Sequence, residues 1–190
     1  GQPRVRLKIR SDSENAIVAV RLCDVSPNGA STRVTYGLLN LTHRNGSAHP
    51  EKLKPGTSYN VEVCLKHIAY VFTPGSRIRV AVQTSFWPIA WPSPTQTTLS
   101  VISGDSKIEL PIFSPDSEVL PVSKLPVAEQ SEVEPRRHVE PPKAKTTCLI
   151  KDVDSGLTTV RVDKDSGLIR LENHGLMYGD SSRVEYSIRD

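Results

Sequence analysis

The sequence predicts an all-β fold, a two-sheet sandwich or jelly roll, and three observations carry the prediction. Segments that alternate apolar and polar residues recur through roughly the first hundred positions, while the helical period is almost absent. Turn-forming residues separate these segments about every ten positions, the spacing of strands in a sandwich. Of 190 residues, 37% are hydrophobic and 24% charged, with Val, Ile and Leu spread throughout. That composition supports a buried core and excludes wholesale disorder.

The first strand is Arg4 to Arg10, whose strict alternation sets Val5, Leu7 and Ile9 on one face and basic residues on the other. Ser11-Asp12-Ser13-Glu14-Asn15 is a polar turn, and Ala16 to Val25 is the next strand. In Ser26-Pro27-Asn28-Gly29 the proline presets φ and Asn-Gly tolerates positive φ, so the chain reverses into Thr32 to Leu41 as a hairpin. A polar stretch from Thr42 to Lys54 ends in Pro55-Gly56, after which Ser58 to Ala69 is rich in β-branched and aromatic residues. Thr73-Pro74-Gly75 turns the chain into Arg77 to Ser85. Gln96 to Ile102 and Lys107 to Phe113 form a last pair around Ser103-Gly104-Asp105, giving seven strands.

These strands define a sandwich over residues 1–113. From 114 to 145 the composition changes, and Pro115, Pro121, Pro126, Pro135, Pro141 and Pro142 break regular elements. This stretch reads as an extended connection of polyproline type. Residues 146–190 return to strand patterns as a small antiparallel β unit. Asp154-Ser155-Gly156-Leu157 and Asp165-Ser166-Gly167-Leu168, eleven residues apart, each read as a hairpin turn.

Several classes of function are excluded by what the chain lacks. The net charge is +3, and no Lys/Arg cluster with interleaved aromatics marks a nucleic-acid surface. No apolar run is long enough to span a membrane. Three cysteines leave at least one unpaired, which argues against a secreted disulfide framework and for a reducing cytoplasm. Two glycosylation-type triplets, at Asn40 and Asn45, are discounted on the same ground. Cys23 and Cys64 sit in apolar runs and read as small core residues.

The Gly-x-Ser-x-Gly elbow of a serine hydrolase is absent, so no catalytic residue is expected. His43, His49, His67, His138 and His174 read as surface or core histidines rather than members of a triad. No cofactor or metal is expected either: His43 and His49 are six apart in a loop, and Cys-x-x-Cys and His-x-x-x-His do not occur. Asp163-Lys164-Asp165-Ser166-Gly167 resembles the start of a calcium loop without the remainder.

Ser85-Phe86-Trp87-Pro88-Ile89-Ala90-Trp91-Pro92-Ser93-Pro94 is the unusual segment, holding both tryptophans of the chain. Prolines stiffen it while two indoles supply apolar area, which suits a loop that plugs its own sandwich or docks on a neighbouring domain. A sugar-stacking platform is a further reading.

This cluster occurs in order with Val20-Arg21-Leu22-Cys23-Asp24-Val25, Pro27-Asn28-Gly29-Ala30-Ser31, Gly37-Leu38-Leu39-Asn40-Leu41-Thr42-His43-Arg44 and Ile68 through Arg79. Together these motifs resemble the C-terminal non-catalytic domain of the X-Pro dipeptidyl-peptidase and cocaine esterase family. The tail is similar to the extension of longer, bacterial members. The resemblance implies a galactose-binding-like jelly roll, here lacking its first strand, and a serine-hydrolase parent whose triad lies in an upstream α/β-hydrolase domain. It implies a non-catalytic role for this chain, packed against the hydrolase and cap domains. Trp87, Trp91 and Pro92, with His43 and Arg44 in the long loop, are the candidates for that packing. An independent carbohydrate- or peptide-binding module is the alternative, and exposed sheet edges allow a homodimer.

Overall fold

The structure is a computed structural model that describes residues 1–114 and 126–189. In chain order its strands are β1 (Arg4–Ser11), β2 (Ile17–Val25), β3 (Ser31–Asn40), β4 (Ser58–Cys64), β5 (Arg77–Gln83), β6 (Leu99–Val101), β7 (Lys107–Glu109), β8 (Arg136–Glu140), β9 (Lys143–Lys151), β10 (Leu157–Leu171) and β11 (Met177–Arg189). The described residues fall into two compact units, within Gly1–Glu118 and Val119–Asp190. Pro115 and Pro121 of the proline-rich stretch lie outside the described residues.

The first unit is an all-β sandwich. In one sheet β1 runs between β4 and the short strands β6 and β7; in the other β2 runs between β3 and β5, all pairs antiparallel. The core is the set of inward alternating positions: Val5, Leu7 and Ile9 of β1, Val18, Val20 and Leu22 of β2, and Val61 and Val63 of β4. Leu41, Leu53 and Leu65 close it from the loops. The outward residues of β1 are ion-paired: Arg6 Nε with Glu62 Oε2 at 2.9 Å and Lys8 Nζ with Asp105 Oδ2 at 2.7 Å. The hydrogen bond from Arg6 holds the Glu62 carboxyl below the usual carboxylate range.

Three expectations for this unit are corrected. The strand expected over 58–69 ends at Cys64, because the chain leaves the sheet there: Leu65 N donates to Pro3 O, and Lys66 N donates to Tyr36 O of β3 in the facing sheet. Gly37 permits this crossing, since a Cβ there would lie 2.4 Å from the Cys64 carbonyl oxygen. Cys64 itself is exposed, for Val61, Val63 and Leu65 take the inward positions and leave its thiol on the outer face beside Glu62. Finally, β6 and β7 do not pair with each other. Both pair with β1, β6 along Ile9–Ser11 and β7 along Arg4–Arg6. Ser103–Asp105 is a 3-10 turn within one interrupted edge strand, and Ser106 Oγ fills the gap by accepting Lys8 N–H at 3.1 Å and donating to Ile102 O at 2.8 Å.

The second unit is a single antiparallel sheet in which β10 runs between β11 and the pair β8 and β9. β9 turns into β10 at Asp152–Gly156, where Gly156 has φ +68° and Asp152 N donates to Leu157 O. The second Asp-Ser-Gly does not make a hairpin turn. β10 continues through it, and its register with β11 shifts between Asp165 and Leu168. Gly167, at φ +71°, is the extra residue of a bulge; its N–H donates to Asp165 Oδ1 at 2.9 Å. The chain reverses instead at Glu172–Gly175. β8 also forms inside the stretch expected to lack regular structure, because Arg136–Glu140 lies between prolines rather than on them.

Candidate functional site

Strand register sets out the outer face of the second sheet row by row. Arg21 of β2 is flanked by Tyr36 of β3 and Ala81 of β5, and Cys23 by Arg33 and Arg79. Val25 is flanked by Ser31 and Arg77, and Ala19 by Leu38 and Gln83. After β5 the tryptophan-bearing segment folds back on this face. Phe86 is buried, with its ring 5.1 Å from Tyr36 in an edge-on pair. The guanidinium of Arg21 lies 5.9 Å from the Phe86 ring and that of Arg33 5.8 Å, while Lys66 Nζ sits 4.4 Å above Tyr36 and donates to its hydroxyl. Cations over aromatic faces are favourable on this scale of distance, so the sequence builds a stack of two rings among three basic side chains.

The segment closes as a tight loop, Ala90 N donating to Phe86 O at 2.9 Å, with the Trp87–Pro88 peptide cis. Its two indoles differ in environment. Trp87 is half-buried and its Nε1–H is enclosed without an acceptor among the described residues. Trp91 is 65% exposed, Ile89 beside it is 48% exposed and Pro92 is exposed. Between Ile89 and the crossing of β3 with the Cys64–His67 segment lies an open groove of about 500 Å³, lined by Tyr36, Leu38, Lys66 and His67 among others.

The charges on the two outer faces are arranged differently. On the first sheet Arg4, Arg6 and Lys8 each have a carboxylate partner, and Arg10 alone of the basic residues of β1 has none among the described residues. On the second, Arg21, Arg33, Arg77 and Arg79 have no carboxylate partner among the described residues. This face therefore combines exposed apolar side chains with unneutralised positive charge. Sequence reasoning missed Tyr36, Leu38, Arg33 and Arg79; the alternation of β3 opposite β2 is the signal that would have found them.

His43 and Arg44 belong to a different assembly. Asn40 Oδ1 accepts Thr42 N–H to open a 3-10 turn over Leu41–His43. Arg44, its side chain only 9% exposed, donates to Leu41 O, Glu51 O and Glu51 Oε2, and its guanidinium stacks 4.6 Å from the Tyr59 ring. No hydrogen bond or ring contact joins either residue to the tryptophans among the described residues. The guanidinium is engaged inside its own loop.

Asp24 is buried, receives the Tyr70 hydroxyl on Oδ2 at 2.8 Å and keeps Oδ1 enclosed without a partner among the described residues. That hydrogen bond holds the Tyr70 hydroxyl above its ordinary range. Among the described residues no three His, Cys, Asp or Glu side chains are placed to hold a metal ion, and no helix is long and apolar enough to cross a membrane. Chemically, the face offers cations, aromatic rings and apolar area, the groups of a recognition surface.

Comparison with known proteins gives the following likenesses. Residues 1–119 match the family model described as the X-Pro dipeptidyl-peptidase C-terminal non-catalytic domain. The chain is 28% identical over 88 residues to cocaine esterase of Rhodococcus sp. (strain MB1 Bresler), a match covering 46% of this chain and 15% of that protein. An α-amino acid ester hydrolase structure superposes with a TM-score of 0.51 at 24% identity, covering 57% of this chain and 22% of that one, which is a likeness of fold. An aminopeptidase from a marine sediment Thaumarchaeota archaeon gives a TM-score of 0.45 at 26% identity over 47% of this chain and 16% of its own. The chain thus spans less than a quarter of the length of each of these relatives.

Proposed function

Because the chain belongs to the family of X-Pro dipeptidyl-peptidase C-terminal non-catalytic domains, we propose that it serves as the accessory module of a longer serine-hydrolase chain of the peptidase or acyl-esterase class. In this reading the outer face of the second sheet docks on the catalytic and cap domains of that same chain. The observation that carries the reading is the combination of Trp91 at 65% exposure with arginines that have no carboxylate partner among the described residues on one face. Exposed indoles and arginines are the residue types that most often anchor interfaces. Unneutralised guanidinium groups call for an acidic counter-surface, which identifies the chemistry of the docked face. Trp87 and Pro92 stiffen the Trp91 loop in this scheme, and Arg44 with His43 shapes the neighbouring loop from within.

The test compares this chain with the longer protein on p-nitrophenyl esters and X-Pro p-nitroanilides. We expect turnover by the longer protein alone and no fluorophosphonate labelling of the 190-residue chain. Trp91→Ala combined with Arg79→Glu should lower the melting temperature of the longer protein while leaving that of the isolated chain in place. Labelling of the isolated chain would overturn the non-catalytic reading; an unchanged melting temperature in the longer protein would overturn the docking face.

A further inference from the structure

The single sheet of the second unit has two unlike edges. Along one, Pro141-Pro142 separates β8 from β9, and Lys143, Lys145 and Lys151 lie on β9. Proline and lysine are the residues with which proteins guard a strand edge against pairing. The other edge is β11, thirteen residues with neither proline nor lysine, all but one of them exposed. Among the described residues β10 is the one strand that pairs with it.

The sequence of β11 is complementary to itself in one register. Its polar-face row runs Asp163–Arg183 across β10 and β11, with Arg183 Nε 2.6 Å from Asp163 Oδ1, and the next polar-face row runs Arg161–Glu185. The intervening row, on the opposite face, is apolar: Val162 beside Val184, with Val160 beside Tyr186 next to it. We infer that β11 is a pairing edge for a second copy of this chain, two β11 strands meeting antiparallel about a two-fold axis at Val184. Arg183 then faces the second copy's Glu185, and Glu185 its Arg183. The rows continue across the junction as Asp163, Arg183, Glu185, Arg161, alternating in sign. On the opposite face Val162 and Val184 of each copy meet as one apolar row.

Neighbouring registers fail on stated grounds. A slip of one residue in the pairing brings the apolar face of one copy against the polar face of the other. Moving the axis to Arg183 sets two arginines opposite each other, and moving it to Glu185 sets two glutamates opposite each other; like charges in direct cross-strand positions are destabilising. The pairing is β-augmentation, in which backbone hydrogen bonds supply the affinity and side chains the register. It involves residues outside the 1–119 match and stands whether or not the docking face proposed above is correct.

Sedimentation equilibrium of the full chain tests it. The wild-type chain should self-associate to a dimer. Arg183→Glu and Glu185→Arg should each weaken that dimer roughly tenfold or more, since both cross-strand pairs change from attraction to repulsion. An equimolar mixture of the two variants should form a heterodimer, because each supplies the charges the other lacks, and this recovery excludes misfolding as the cause of the loss. Val184→Cys, with Cys64 and Cys148 replaced by serine, should yield an oxidised disulfide dimer, since the two-fold axis sets the two Cβ atoms directly opposite each other, from where a shift of under about 1 Å brings them to the roughly 4 Å a disulfide requires. A wild-type chain that stays monomeric, or a dimer indifferent to both charge reversals, overturns the inference.

Discussion

Arg44 donates to two backbone carbonyls and one carboxylate, and covers the Tyr59 ring, from a side chain that is nearly enclosed. Replacement by alanine removes these bonds together with the packing of the stem and leaves the Leu41 and Glu51 carbonyls without that donor. We expect Arg44→Ala to lower the stability of the first unit by about 2 kcal/mol, measured as a shift in urea midpoint, and Arg44→Lys to recover only part of it. At this scale the sequence was informative where one strand dictated its own faces, as in Val5, Leu7 and Ile9. It was silent where a residue's role depends on a partner brought in by a loop. Nothing in Arg44 or Glu51 alone announces their pairing. Cys64 shows the intermediate case: its apolar surroundings suggested burial, but strict alternation had already assigned the inward positions to its neighbours.

Among the elements, the two Asp-Ser-Gly segments have the same signature and different structures. Both place glycine at positive φ, yet one closes a hairpin and the other bulges within β10. The difference comes from the end of β8 and the proline after it, where the Glu140 and Pro141 backbone approaches so closely that a Cβ on Gly167 would lie 2.3 Å from Glu140 O. Local turn chemistry cannot report that approach, because it depends on strands far apart in sequence. The same reason explains why β6 and β7 looked like a hairpin: a turn signature was legible, while their common partner β1 was not. Gly167→Ala should therefore cost the second unit at least about 2 kcal/mol, combining an unfavourable φ with the backbone clash. The measurement is amide hydrogen exchange, with protection lost first across β8 and the adjoining end of β10; Gly156→Ala, whose position is open, should show only the smaller effect of its φ.

For the whole molecule, burial is unevenly divided. The buried hydrophobic residues run from Val5 to Phe86, all in the first unit, and within the second unit Gly167 is the one described residue classed as buried. Leu149, Val184 and Tyr186 are all substantially exposed. The described residues of the second unit form one sheet, and a single sheet has little apolar burial of its own to offset its conformational entropy. Urea unfolding of the chain should consequently show two transitions, with β9–β11 lost at lower denaturant than β1–β5, as followed by residue-resolved exchange. The all-β class was legible from periodicity alone, since both units obey it. That the described residues of the second unit form one sheet and not two was not, because the alternation of a strand is the same whether its apolar face is covered or bare.

Both indoles of this protein sit within five residues of each other on one loop, one half-enclosed and one in water. These 190 residues hold no further tryptophan to dilute their signal, so intrinsic fluorescence of this chain is a local optical gauge of that loop. The solvated indole contributes the red, quencher-accessible part of the emission and its enclosed neighbour the blue part. The balance between the two colours records, without any label, whether the surface around Trp91 is open to water or covered.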